Sequence, residues 1–153
     1  MTDATAGADA APTASTQLSG ARRTAYTISK ALTGLFLIGV ALAFFLAGLG
    51  TYGVKGRIDD KTATASFNPH RGVGSALTLI ALLLLIAVAV ARPGGRTLKL
   101  AGALFVLMIV QYALAAAGTS VHVLGAFHAL NGLLVLGVAG LLAVDTGALR
   151  RSR

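Results

Sequence analysis

The chain has 153 residues, 56% of them hydrophobic and 12% charged, with a formal net charge of +8. Soluble globular domains carry about twice that share of charge, so the composition excludes an ordinary water-solvated fold and points to lipid. The absence of cysteine excludes disulfides, iron–sulfur clusters, thiolate zinc sites and haem attached through a C-x-x-C-H motif. The basic residues flank apolar stretches instead of lining one polar face, which argues against nucleic acid as a partner.

In chain order, residues 1–21 are rich in Ala, Thr, Ser and Gly and show no apolar period. They lack the basic start of a signal peptide and are expected to be a disordered cytoplasmic tail. A transmembrane domain is expected over 22–149, beginning with a span at about 30–50. A polar loop over 51–68 holds Lys55, Arg57, Asp59, Asp60 and Lys61. Asn68-Pro69 then reads as a helix start, because Asn caps free N–H groups and Pro tolerates the first helical position. The second span is expected at about 70–91, ending at the turn Arg92-Pro93-Gly94-Gly95-Arg96. A third follows at 98–117, a short turn at Gly118-Thr119-Ser120, and a fourth at 123–144. Residues 150–153 form a basic end. With no tryptophan, interfacial anchoring falls to Tyr26, Tyr52, Tyr112 and the phenylalanines. The expected fold is all-α, a polytopic four-transmembrane-helix bundle.

Orientation follows from the basic residues. Arg22, Arg23 and Lys30, then Arg92, Arg96 and Lys99, then Arg150, Arg151 and Arg153 lie on one side, against Lys55, Arg57, Lys61 and Arg71 on the other. Nine against four places both termini in the cytoplasm of a multi-pass protein. The Ala-, Gly- and Arg-rich composition suggests a GC-rich bacterial genome, hence a bacterial plasma membrane.

Two phrases recur. His70-x-x-x-Gly74 opens the second span, and His128-x-x-x-Gly132 lies near the start of the fourth. Residues 43–51 (AFFLAGLGT) and 111–119 (QYALAAAGT) share Leu, Ala, Gly and Thr in register, with aromatics at Phe44 and Tyr112. Each block ends an outward-going helix that precedes a histidine phrase, the intervening loop being ten residues longer in the first copy. This predicts a duplicated helical hairpin, its copies related by an axis along the membrane normal. His70 and His128 then face a common centre near the outer side.

Ionisable residues at membrane depth are functional candidates by default. Two neutral imidazoles from opposite helices suit six-coordinate haem iron, and a Gly one turn beyond each His leaves room beside a flat porphyrin. Arg71 is placed to pair with a haem propionate, and the helix start near His70 favours the neutral ring. Depth opposes the pairing: counted from Ala91 and Val144, His70 lies 21 residues from its inner boundary and His128 lies 16, a mismatch of roughly 7–8 Å at ~1.5 Å per residue. His122 matches His70 better in depth but stands about 120° around the helix from His128 at ~100° per residue, so it remains the rival ligand. The plainer alternatives stay open. His70 reads equally as an interfacial histidine, His122 as a wetted turn residue, and His128 as interhelical glue with Gln111 or Asn131. Gln111 and Asn131 tie helices three and four together or line a quinone or proton site.

Together FFLAGLG, FNPHRGVG, the Gln111-Tyr112 pair and FHALNG resemble a family of small four-helix bacterial membrane proteins of unknown function, common in actinobacteria. The resemblance covers roughly residues 30–145 and implies the topology without an activity. More coarsely, histidines on the second and fourth helices resemble one half of heme A synthase or a b-type cytochrome, which implies axial ligation by His70 and His128. The chain departs from the synthase pattern in lacking the second four-helix half, the extracellular cysteine pair and the catalytic carboxylate.

Two functional expectations lead, ahead of a small transporter or channel, for which the spans offer no buried acid or base apart from His and no proline in a helix interior. One is a b-type haem between helices two and four, serving electron transfer with a quinone or a membrane complex. The other is a cofactor-free accessory or assembly subunit. No Ser–His–Asp, paired-carboxylate or phosphate-loop arrangement is visible, so a soluble-type enzyme active site is the least favoured reading and the sequence leaves enzymatic activity open, with the balance against it.

Overall fold

The structure, a computed structural model, describes residues 14–54 and 60–149. Four long helices follow one another: α1 Ala14–Val54, α2 Asp60–Ala91, α3 Gly95–Gly118 and α4 His122–Thr146. All four are long and apolar enough to cross a membrane. They run up, down, up and down, α1 packing mainly on α2 and α3 on α4, with α2–α3 and α1–α4 closing the bundle. Helices α2 and α4 therefore face each other across the diagonal. We call the end holding the α3–α4 turn the histidine end, and the other the terminal end.

The apolar period places one row of each helix inside. Phe36 and Val40 on α1, Leu77, Ala81, Leu84 and Val88 on α2, Ala101, Leu104 and Met108 on α3, and Val135, Ala139 and Leu142 on α4 form one core. The opposite rows stay exposed and apolar, for example Ile38, Phe45, Leu79, Ile86, Val106, Ile109, Leu134 and Leu141. In a bilayer such rows meet acyl chains as apolar as themselves, so the bundle is held by packing and interhelical hydrogen bonds. This is a polytopic four-helix membrane bundle, as the sequence implies.

Two boundaries differ from expectation. Helix α1 begins at Ala14, inside the stretch 1–21 expected to be a tail; residues 1–13 lie outside the described residues, as does the basic end 150–153. The polar segment 51–68 is mostly helical, with only 55–59 outside the described residues, and Pro69 sits inside α2 instead of at its start. Proline there removes the N–H that would bond the Ala65 carbonyl. Ala65 is exposed, so water can satisfy that carbonyl and the helix continues.

The two hairpins superimpose in sequence with one rule for each helix. Shifting α1 by 68 positions carries Ser29, Thr33, Phe36 and Val40 onto Thr97, Ala101, Leu104 and Met108, all eight buried. Shifting α2 by 58 carries Leu77, Ala81, Leu84 and Val88 onto Val135, Ala139, Leu142 and Thr146, again all buried. The same shifts relate the tight contacts. A Cβ on Gly50 would meet Phe67, and one on Gly118 would meet the backbone of Gly125; Gly50 maps onto Gly118 and Phe67 onto Gly125. The internal two-fold of the sequence is thus an internal two-fold of packing.

Candidate functional site at the histidine end

The core changes character along the bundle. From Val40, Leu77, Met108 and Val135 toward the terminal end, the inward row is buried, apolar at first and ending on the hydroxyl residues Ser29, Thr33, Thr97 and Thr146. Toward the histidine end the same rows continue as Ala43, Ala47 and Gly50 on α1, His70 and Gly74 on α2, Gln111 and Gly118 on α3, and Gly125 and His128 on α4. Of these, only Gly50 is buried. Leu46 and Leu114, equivalents under the 68-residue shift, are half-buried aliphatics on the same two helices. Small residues and two imidazoles otherwise replace the closed packing below.

His70 lies one heptad before Leu77 and His128 one heptad before Val135, which turns both rings to the interior. Their centroids stand 6.1 Å apart with planes at 72°. His70 Nδ1 donates to the Ala43 carbonyl (2.9 Å) and His128 Nδ1 to the Gln111 carbonyl (3.1 Å). A carbonyl only accepts, so each Nδ1 carries the hydrogen, and in the neutral ring each Nε2 is left with its lone pair. Ala43 and Gln111 are equivalents under the 68-residue shift, so the two histidines are oriented by the same device.

Around His128 the device is elaborated. The Gln111 side-chain amide lies 3.2 Å from His128 Nε2 and donates to the His128 carbonyl at 3.1 Å. Its oxygen accepts from Asn131 Nδ2, which also donates to the Leu107 carbonyl at 2.9 Å. Gln111 thus brackets the ring, its backbone holding one nitrogen and its side chain the other. His70 has Ala43 at the equivalent place, with no amide to offer. Among the described residues no hydrogen bond reaches His70 Nε2.

The remaining expected site residues fall as follows. Gly132 faces Phe44, whose ring would stand 3.4 Å from an added Cβ, so that gap serves helix packing; Gly74 has nothing within 4 Å. Arg71 is exposed. His122 is the exposed first residue of α4, and the ring that meets His70 is that of His128. The two rings meet although α4 ends at Thr146, only two positions beyond the expected boundary, so the expected difference in depth does not keep them apart. Ser75 and Tyr112 join α2 to α3 through their hydroxyls at 2.5 Å, a contact that single-residue reading did not find. The alignment of Tyr112 with Phe44, each an aromatic reaching the other hairpin, was the signal available for it.

A second polar cluster ties the terminal end. Arg96 pairs with Asp145 at 3.3 Å, Thr97 donates to the same carboxylate at 3.4 Å, and Tyr26 donates to the Thr146 carbonyl at 3.0 Å. Gly147, at φ 68°, caps α4 in the left-handed conformation that glycine adopts without strain. Among the described residues no three His, Cys, Asp or Glu side chains gather as a metal cage. The paired imidazoles at the histidine end are those of His70 and His128.

Fold and site define a small multi-pass four-helix membrane protein with an interior histidine pair. The chain belongs to a family of unknown function, DUF6220, whose match covers residues 43–119, 77 of its 153 positions. The matched region includes His70, Gly74 and Gln111 and ends before His122 and His128. The match agrees with the first family resemblance and brings no link to heme A synthase. Comparison with curated proteins and with solved structures gives no match.

Proposed function

We propose that the protein is a small non-catalytic accessory or assembly subunit of a bacterial membrane complex, embedded in the lipid bilayer. The observation that supports this most directly is the notch on α4. Gly137 and Gly140 interrupt the outward row Leu133, Leu134, Leu141 and Val144, and a Cβ on either glycine would meet nothing within 4 Å. Glycine inside a helix costs roughly 1 kcal/mol against alanine, and nothing inside this bundle requires it at those places. An outward glycine allows another transmembrane helix to approach closely. The interior fits the same role: no buried polar side-chain atom among the described residues lacks a partner, as expected of glue between helices.

The test is the size of the particle released by mild detergent from native membranes. The full chain should migrate well above its own mass, and Gly137→Leu should return it to the single-chain size. Migration at the single-chain size from the start, or no response to Gly137→Leu, overturns the reading.

A second reading is favoured by the histidine pair: one b-type haem for electron transfer. Two ~2 Å metal–nitrogen bonds plus about 1 Å from each nitrogen to its ring centre place paired axial imidazoles about 6 Å apart, centre to centre. The observed separation is 6.1 Å. Metal-binding histidines characteristically donate their other ring N–H to a carbonyl or carboxylate, as both rings do here. A single haem near one face does not span ~30 Å of hydrocarbon, so electron transfer requires a quinone or a partner complex. The accessory reading is the cofactor-free one, so the two part on whether haem is bound. Reduced-minus-oxidised spectra of the purified protein, expressed with added haem, test the second; no Soret band overturns it.

A further inference from the structure

We propose that the histidine end is an iron-porphyrin site in which the Gln111 amide is an exchangeable cap on His128, so that His70 engages iron first and His128 second. The proposal rests on the haem reading above and adds the order of ligation and the residue that governs it.

Two otherwise equivalent rings are unequal at one nitrogen. Both hold their hydrogen on Nδ1 against the backbone of the preceding helix. At His70 this leaves the Nε2 lone pair open among the described residues, because Ala43 carries only a methyl group. At His128 the Nε2 lone pair already accepts from the Gln111 amide at 3.2 Å. Iron binding at His128 must break that hydrogen bond and form an iron–nitrogen bond with the same lone pair. No proton leaves, since the ring hydrogen stays on Nδ1 throughout. Gln111 keeps its second amide hydrogen on the His128 carbonyl and its oxygen on Asn131. It therefore remains anchored while releasing the ring.

At this end the inward rows carry the small residues Ala43, Ala47 and Gly74, none of them buried, whereas the same rows nearer the terminal end are closed around Phe36, Leu84, Leu104 and Leu142. Gln111 is a positioning residue in this scheme. It sets the His128 ring through its carbonyl and opposes ligation through its amide.

Titration of the full-length protein in detergent with ferric haem, followed by absorbance, tests both steps. The wild type should pass through a five-coordinate spectrum before reaching the six-coordinate low-spin one. His128→Leu should stop at the five-coordinate form, and His70→Leu should bind more weakly than His128→Leu. Gln111→Met keeps side-chain length and the backbone carbonyl but removes the donor. Losing one net hydrogen bond to displace should tighten binding roughly 2- to 10-fold and speed the second phase. Equal or weaker binding by a helical Gln111→Met protein, beside a normal low-spin spectrum in the wild type, overturns the cap and leaves the haem reading standing. If Gln111→Met fails to insert, the wild-type kinetics decide, and a single-phase passage to the six-coordinate spectrum overturns the cap. A fully helical wild type with no low-spin spectrum at saturating haem overturns both.

Discussion

The first hairpin, α1–α2, and the second, α3–α4, use one packing plan with two levels of polar detail. In the lower bundle they are interchangeable: Phe36 answers Leu104, Leu84 answers Leu142, and Ser29 answers Thr97. At the histidine end they part. The first hairpin has Ala43 and Val73 where the second has Gln111 and Asn131, so only the second builds a side-chain network around its histidine. Packing tolerates little asymmetry because both hairpins share one core. A polar network inside one hairpin is free to differ, and that freedom makes the two histidines chemically unequal.

The largest test of this comparison lies in the shared core. Leu84→Ala and Leu142→Ala each open a cavity at a fully buried site and should cost about 2–5 kcal/mol. The two losses, measured by denaturant or steric-trap unfolding in detergent, should agree within about 1 kcal/mol if the hairpins are equivalent there. A loss confined to one hairpin would break the symmetry. Next come the tight crossings. Gly118→Ala drives a methyl to 2.8 Å from the Gly125 backbone, whereas Gly50→Ala meets chiefly the Phe67 ring. Gly118→Ala should therefore cost about 1–3 kcal/mol and Gly50→Ala less, because a ring turns aside more easily than a helix backbone. Equal costs in the same unfolding assay would contradict this ranking.

Smaller effects address the asymmetry. Asn131→Val installs the residue of the first hairpin and removes two hydrogen bonds to α3. The expected loss is about 1 kcal/mol, the scale of interhelical hydrogen bonds in lipid, and no measurable change would mean the network holds nothing together. The smallest effect belongs to the terminal end. Arg96 is 70% exposed beside Asp145, so Asp145→Asn should cost under about 1 kcal/mol. That difference should shrink in high salt; a salt-independent loss would assign it to the Thr97 hydrogen bond instead.

Much of the fold was legible in the residues themselves. Apolar length specified four spans, because a bilayer demands about twenty apolar residues for each crossing. The recurrence of AFFLAGLGT as QYALAAAGT and of the His-x-x-x-Gly phrase specified the internal two-fold. Helix ends were less legible. Asn68-Pro69 looks like a start by local chemistry, yet α2 runs through it from Asp60, since an exposed helix accepts proline where water replaces the missing bond. The inner end of α4 shows the same weakness, expected at Val144 and found at Thr146.

The sequence alone determined that this is a membrane bundle of two like hairpins, because hydropathy and a repeated register are local properties of a chain. Only the tertiary structure decided that His128, and not its rival His122, meets His70, that both rings share one tautomer, and that Gln111 occupies one of them. Those outcomes depend on which carbonyls and amides cross from one helix to the next at the histidine end. Distances of about 3 Å between residues 17 and 27 positions apart follow from helix packing. No periodicity in the chain encodes them.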